Sequence, residues 1–173
     1  MEKFEKTVQL KNVVVGGNTY QKFISIEAAG AGELKEQIQK ACGIEEAGVE
    51  ICAGSMASME DIAPVLAECA ALMAEKAVIL NLNTCGFDFE STADDKLRTA
   101  EQCAAYVDVI GADEFAENSF LNALKEVTAR TNKKLLLSHV CLEGTKSKED
   151  IISAAKAAET KGADLVYLAY SVK

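Results

Sequence analysis

The stretch Ser147–Tyr170, SKEDIISAAKAAETKGADLVYLAY, contains one complete example of the unit that decides the fold. Its opening serine stands three positions before Asp150, which is the spacing of a capping box, so a helix is predicted over Lys148–Lys161. Gly162 follows at the position where helices often end in a left-handed residue. The apolar run Asp164–Tyr170 then predicts a buried β-strand. A capped helix that leads directly into a buried strand is typical of α/β proteins.

The same alternation of strand and helix extends back toward the N-terminus. Strands are predicted at Lys22–Ile26, Gly48–Ala53, Ala77–Leu82, Tyr106–Gly111, Lys134–His139 and Asp164–Tyr170. Helices are predicted near Gly32–Cys42, Ser58–Ala74, Asp94–Ala104, Glu117–Arg130 and Lys148–Lys161. Two short runs, TVQLKN and VVVGG, precede these units and predict a hairpin with its turn near Lys11–Asn12. Parallel βαβ units follow from this pattern, either in an open doubly wound sheet or in a (βα) barrel.

The composition is typical of a soluble globular protein. Apolar residues make up 49% of the 173 positions, and the net charge of −9 would repel phosphate-rich partners. The N-terminal stretch MEKFEKTVQL lacks the apolar core of a signal peptide, and no apolar run approaches the ~18 residues of a spanning helix. We therefore expect a single cytoplasmic domain over residues 1–173, with no nucleic-acid or membrane partner.

Neither a nucleotide nor a metal cofactor is predicted. The two glycines of EAAGAGEL are not followed by the third glycine of a dinucleotide-binding turn. The single histidine, His139, falls near a predicted strand end, as do Cys52, Cys85 and Cys141, but these residues lack the local spacing of a metal site. The six cysteines contain no C-x-x-C pair and are interpreted as reduced, buried apolar residues.

Six segments spread along nearly the whole chain are similar to segments of one known protein family. They are TVQLKNVVVGG and KFISI near the N-terminus, AGVEI, YVDVIGADEF and KLLLSH in the middle, and KGADLVYLA near the C-terminus. Together they resemble the type I 3-dehydroquinate dehydratase family. The resemblance implies an incomplete TIM-type (βα) barrel of about six parallel strands with an N-terminal β-hairpin. It also implies a lyase that forms a Schiff base between a strand-six lysine and the substrate ketone, with a strand-five histidine moving protons and arginines binding a polyhydroxy acid.

Most positions that carry this chemistry in the family are replaced here. Glu50 matches the family's strand-two glutamate, whereas Cys52 and Gly54 stand where an arginine and an aspartate belong. Asn83 takes the place of the strand-three arginine, and Tyr167 takes the place of the strand-six lysine. Because a phenol cannot form an imine, the resemblance implies that Schiff-base chemistry is lost.

The strand-five histidine position is also unmatched when the chains are aligned without a gap. Val140 then takes the place of the histidine, and His139 takes that of the preceding asparagine. An offset of one residue places a side chain on the opposite face of a strand. No residue is therefore assigned as catalytic.

Five residues remain as candidates for binding: Glu50, Asn81, Asn83, His139 and Tyr167. Glu50 and the two asparagines are expected at the carboxyl ends of neighbouring strands, where barrel enzymes place their sites. Glu50 either binds hydroxyl groups of a small polar ligand or is satisfied by the amides alone. Tyr167 either acts as a phenolic acid or fills the barrel with its hydroxyl bonded to a partner, and the second role is expected.

Three functions follow from these residues and stay open. The first is a divergent dehydroquinase-like protein, inactive as a Schiff-base lyase, that binds a small polar or carboxylate ligand. The second is an enzyme acting on small hydroxy acids that uses Glu50 as a base without an imine. The third is a non-catalytic structural or interaction module.

An assembly is predicted as well. In the family two further βα units follow strand six, whereas this sequence stops at Lys173. A six-stranded arc would leave its first and last strands as edges, and uncovered edges promote aggregation. We therefore expect a second copy of the chain to cover the opening, which would make a homodimer.

Overall fold

The computed structural model describes residues 7–16, 23–82, 91–140, 145–168 and 171–172. Five helices lie within these ranges: α1 Ala31–Cys42, α2 Ile62–Met73, α3 Ala93–Cys103, α4 Asn118–Thr131 and α5 Lys148–Thr160. The longer strands are β3 Phe23–Ile26, β4 Gly48–Cys52, β5 Val78–Asn81, β6 Val109–Asp113, β7 Lys134–Val140 and β9 Leu165–Leu168. Shorter strands are β1 Thr7–Leu10, β2 Val13–Gly16, β8 Thr145–Lys146 and β10 Ser171–Val172. None of the described helices is long and apolar enough to cross a membrane.

The main sheet is parallel and has six strands in the order β3-β4-β5-β6-β7-β9. It curls into a half-barrel with the helices on its convex side, and β1 and β2 form a separate antiparallel hairpin. The predicted incomplete TIM-type barrel with an N-terminal hairpin is therefore confirmed. Each strand leads into a helix and back to the neighbouring strand, which is the connection that parallel strands require.

The hairpin closes the amino-terminal end of the half-barrel. Its turn is at the predicted position, where Lys11 adopts a left-handed conformation with φ of 45°. The side-chain nitrogen of Asn12 donates to the backbone oxygens of Glu45 and Ala47, at 3.2 and 3.0 Å. The side-chain oxygen of Asn12 accepts from the backbone amide of Ala77 at 2.8 Å. Because Ala47 and Ala77 directly precede β4 and β5, one side chain fixes the hairpin against the starts of two strands.

Two apolar clusters hold these layers together. The larger one lies between the sheet and the helices and includes Val49, Ile51 and Leu80, which are fully buried. The smaller one lies between the hairpin and the concave face of the sheet; its members are Leu10, Val13, Ala77, Ile79, Val109, Leu136 and Leu165. Successive residues of a strand alternate between the two clusters, so cluster membership identifies which face a residue occupies.

The predicted helix start is confirmed at α5 and is wrong at α2. At α5, Ser147 and Asp150 form the full capping box, and Gly162 after the helix has a φ of 94°. The Ser58–Ala74 prediction instead begins with a 3₁₀ turn over Met59–Asp61, and the Ser58 side chain caps nothing. At α3, Thr92 and Asp95 also form a capping box.

One predicted strand begins too early. The predicted strand Tyr106–Gly111 includes Tyr106 and Val107, since aromatic and β-branched residues favour sheets. In the structure the Tyr106 amide donates to the oxygen of Cys103 at 2.9 Å, in the turn that ends α3, and β6 begins only at Val109. The helix end therefore overrides the local strand preference.

Four free cysteines fall within the described ranges. Cys69 and Cys103 are fully buried, whereas Cys42 and Cys52 are half-buried. Burial raises the pKa of the Cys103 thiol to about 12, so this thiol stays protonated at neutral pH. The interpretation as buried apolar residues is confirmed for Cys69 and Cys103 and only partly holds for the other two.

Candidate functional site

The concave face carries polar side chains at the carboxyl end of the sheet. On β4, Val49 and Ile51 pack against the helices, so Glu50 and Cys52 lie on the opposite, concave face. The same alternation places Ser25, Asn81, Asp113 and Ser138 on the concave face of β3, β5, β6 and β7. Five neighbouring strands therefore each contribute at least one polar residue to a single row.

Glu50 and Asn81 are in direct contact within this row. The side-chain nitrogen of Asn81 donates to Oε1 of Glu50 at 2.9 Å. Asn81 is buried, and Glu50 is half-buried. The register brings them together because Cys52, two residues after Glu50, pairs with Asn81 across β4 and β5. The predicted proximity of the glutamate and one strand-three amide is thus confirmed; Asn83 lies outside the described residues.

The rest of the row is linked to the backbone or to neighbouring side chains. Ser25 Oγ lies 3.2 Å from Cys52 Sγ, and Ser138 Oγ donates to the oxygen of Ala112 at 3.3 Å. Oδ1 of Asp113 accepts from the Phe115 amide at 2.9 Å, which fixes the carboxylate at the end of β6. These contacts hold the polar side chains in place before any ligand arrives.

Ser25, Asp113 and Ser138 were not selected from the sequence. Their signal was the period of two along each strand: Asp113 lies four residues after buried Val109, and Ser138 lies two after Leu136. The register also pairs Asp113 directly with Ser138. Residue identity alone did not distinguish them, because serines and aspartates are common in loops.

Tyr167 lies on the concave face but does not fill it. Leu165 belongs to the cluster beneath the hairpin and Val166 packs toward the helices, so alternation places Tyr167 with the polar row. Its side chain is 59% exposed. The expected buried filler with a bonded hydroxyl is therefore wrong. Among the described strands β9 pairs only with β7, so no strand on its far side covers the ring.

The comparison of His139 and Val140 with the family's histidine is affected by an irregularity in β7. Leu136 and Leu137 pair with Leu165 and Val166, but the next pair joins Val140 to Leu168. Between these pairs, two residues of β7 lie opposite one residue of β9, which is a β-bulge. An ungapped alignment assumes strict alternation, and the bulge interrupts it at this point. The side chains of His139 and Val140 lie outside the described part of the structure.

Metal ligation would need several ligating side chains close together within the described ranges. Within those ranges no group of three histidine, cysteine or acidic side chains is placed to hold a metal ion. Cys85 and Cys141, which were considered with His139 and Cys52, lie outside the described residues.

These features define the class of protein: a TIM-type α/β protein whose polar row lies at the carboxyl ends of the strands, the place of active sites in such barrels. Residues 22–173 match the family model of type I 3-dehydroquinase. The chain therefore belongs to the type I 3-dehydroquinase family.

Solved structures similar to this chain include three 3-dehydroquinate dehydratases. The enzyme from Clostridium difficile, whose structure contains covalently modified comenic acid, has a TM-score of 0.81 at 16% identity, over 95% of this chain and 68% of that one. For the Geobacillus kaustophilus enzyme the TM-score is 0.80 at 15% identity, over 94% of this chain and 66% of that one. For the Enterococcus faecalis enzyme the TM-score is 0.79 at 17% identity, over 96% of this chain and 72% of that one. This chain thus spans about two thirds of each enzyme. No curated protein sequence matches the chain.

Proposed function

We propose that this protein is a divergent type I dehydroquinase that binds a small polar ligand on its concave face and forms no Schiff base with it. The observation that carries the proposal is Tyr167. It lies on the concave face of β9, at the position that the family resemblance gives to the imine-forming lysine. A phenol has no nitrogen with which to condense with a ketone, so it cannot replace that lysine.

The polar row supports ligand binding. Asn81 donates to one oxygen of Glu50, and within the described residues the other oxygen accepts no hydrogen bond. A carboxylate held in this way accepts well from ligand hydroxyl groups. Asp113 adds a second carboxylate, fixed by the Phe115 amide. Carboxylates, amides and hydroxyls in one row suit a polyhydroxylated molecule about the size of a small hydroxy acid.

A second candidate function is catalysis without an imine. Glu50 would act as the base that removes a proton from the ligand, and the Asn81 amide would orient it. The 2.9 Å contact between the two side chains favours this arrangement. The same contact equally suits a carboxylate that only accepts hydrogen bonds from a ligand, and it requires no proton transfer. Ligand binding alone is therefore the preferred proposal.

Borohydride trapping tests the absence of an imine. The protein is incubated with 3-dehydroquinate and sodium borohydride, and its intact mass is measured, with the Enterococcus faecalis dehydratase as the positive control. We expect an unchanged mass for this protein and an adduct for the control. An adduct on this chain would refute the proposal, whichever lysine carried it.

Ligand titration tests the binding site. Quinate, shikimate and 3-dehydroquinate are added while the melting temperature is followed, for wild type, for Glu50→Gln and for Glu126→Gln. Glu126 is an exposed glutamate on α4, so its variant matches the charge change away from the site. We expect at least one compound to stabilise wild type and Glu126→Gln, and to stabilise Glu50→Gln much less. No stabilisation by any compound would favour the structural or interaction module instead.

A further inference from the structure

A cavity lies outside the concave face. It has a volume of about 500 Å³ and separates the loop after β4 from α3. Its apolar wall includes Met56 and Met59, which belong to the cluster between the sheet and the helices. The cavity therefore opens on the helix side of the sheet, opposite Glu50 and Asn81.

The cavity carries charges of both signs. Nη1 of Arg98 lies 3.3 Å from Oδ1 of Asp95 and 3.8 Å from Oε1 of Glu60, and all three residues line the cavity. Both contacts use the same nitrogen of the guanidinium. Within the described residues, Nη2 of Arg98 has no hydrogen-bond partner. A guanidinium offers five N–H groups in a planar fork, so most of its capacity remains for a ligand.

A buried hydroxyl at the same cavity points independently to a ligand. Ser91 lines the cavity, and its Oγ is buried without a partner, the one such side-chain atom among the described residues. Buried polar atoms in folded proteins are almost always hydrogen-bonded, so an orphaned one needs an explanation. Rotation of the Ser91 side chain toward the cavity would let a polar group bound there supply the missing partner.

We propose that this cavity binds a small zwitterion, namely an α-amino acid with a short apolar side chain. The ligand carboxylate would accept from Nη2 of Arg98 and from the Ser91 hydroxyl. The ligand ammonium would donate to Glu60, whose side chain is 79% exposed and so can turn toward it. The apolar side chain would pack on Met56 and Met59.

The presence of both charge signs in the cavity favours a zwitterion over a simple anion or a simple cation. A plain anion that approached Arg98 would also meet the carboxylates of Glu60 and Asp95, which repel it. A plain cation would meet the guanidinium. A molecule that carries both charges a few ångströms apart satisfies both sets of groups, and the buried methionines give it apolar contact that a fully polar ligand would not use.

Amide NMR titration of the full chain tests the proposal. L-Norvaline is the probe, and acetate and ethylamine serve as probes that carry only one of its two charges. We expect saturable shifts for the amides of Ser91, Arg98 and neighbouring residues with L-norvaline, and at least about tenfold weaker binding of either half-ligand, since each loses charge-assisted hydrogen bonds.

Three variants locate the site. Arg98→Gln should weaken L-norvaline binding at least about tenfold. Arg130→Gln is the matched control, because Arg130 is an exposed arginine on α4 that pairs with Glu101, and it should bind as wild type does. Glu50→Gln should also bind normally, so this test stays separate from the concave-face proposal. Absent or unsaturable shifts, equal binding of acetate, or unchanged binding by Arg98→Gln would each overturn the proposal.

Discussion

Lys76 offers the most quantitative test of how the amino-terminal end of the half-barrel is held. Only 8% of this residue is exposed, and its Nζ donates to the backbone oxygens of Ile44 at 2.6 Å and Glu45 at 3.1 Å. A third oxygen, that of Ala47, lies at 3.5 Å. The ammonium therefore joins the chain after α1 to the turn that leads into β5. Replacing it by methionine keeps most of the apolar stem and removes the charged donor.

The expected loss follows from these contacts. Hydrogen bonds from a charged donor contribute about 1.5–3 kcal/mol each, so the two shorter bonds give about 3–6 kcal/mol. Removing a poorly hydrated ammonium recovers several kcal/mol of desolvation, and methionine retains the packing of the stem. We expect Lys76→Met to lower the free energy of unfolding by about 2–3 kcal/mol, which for a chain of this length lowers Tm by about 4–12 °C.

Urea unfolding followed by circular dichroism measures this difference. The control is Lys40→Met, since Lys40 in the last turn of α1 is 72% exposed and its ion pair among the described residues is with Glu36. Exposed ion pairs contribute little, so the control should change stability by less than about 0.5 kcal/mol. Equal unfolding midpoints for Lys76→Met and wild type would show that the three backbone oxygens are satisfied equally well by water, and the reasoning would be wrong.

Three other predictions concern the helix ends and the assembly. Hydrogen bonds from the Thr92 side chain, then from its backbone, lower the pKa of Asp95, so the folded pKa lies below the unfolded one. Urea titrations at several pH values should therefore show the full loss of stability in Asp95→Asn above about pH 4. That loss should vanish as the pH falls through the folded pKa. Gly162→Ala should destabilise the protein by about 1–2 kcal/mol, because φ is 94° there and the new Cβ would lie 2.4 Å from Lys125 Cε. Gly30→Ala is the control, because there is open space around its Cβ, and an equal loss of stability in both variants would contradict this reasoning. Sedimentation equilibrium should give about twice the chain mass of 18.5 kDa if a second copy covers β3 and β9, the outer strands of the described sheet, and a monomer mass would rule out that homodimer.

The residues that share the concave face show how the site depends on the sheet register. Glu50 and Asn81 are 31 positions apart, and their contact exists because β4 and β5 pair in parallel with Cys52 opposite Asn81. A shift of one residue in that register would turn every side chain of one strand to the other face. The prediction that these two residues meet was possible because both lie near the ends of adjacent predicted strands.

Tyr167 shows the limit of that reasoning. Its place on β9 followed from the apolar run around it, but its exposure depends on which strands flank β9 in the sheet. The bulge between Leu137 and Val140 has the same origin, since an extra residue in β7 is visible only when the pairing with β9 is known. Neither the exposure of Tyr167 nor the bulge can be recognised from the residue types alone.

The sequence by itself determined the elements whose causes are local. The capping box of Ser147 and Asp150, the left-handed Gly162, the hairpin turn at Lys11 and the alternation of strands with helices each depend on neighbouring residues, so they could be predicted. Only the tertiary structure decided which other distant groups meet: the polar row beyond Glu50 and Asn81, and the Arg98 cavity. Those contacts are set by strand order, register and helix packing, which sum weak preferences over the whole chain rather than over one segment.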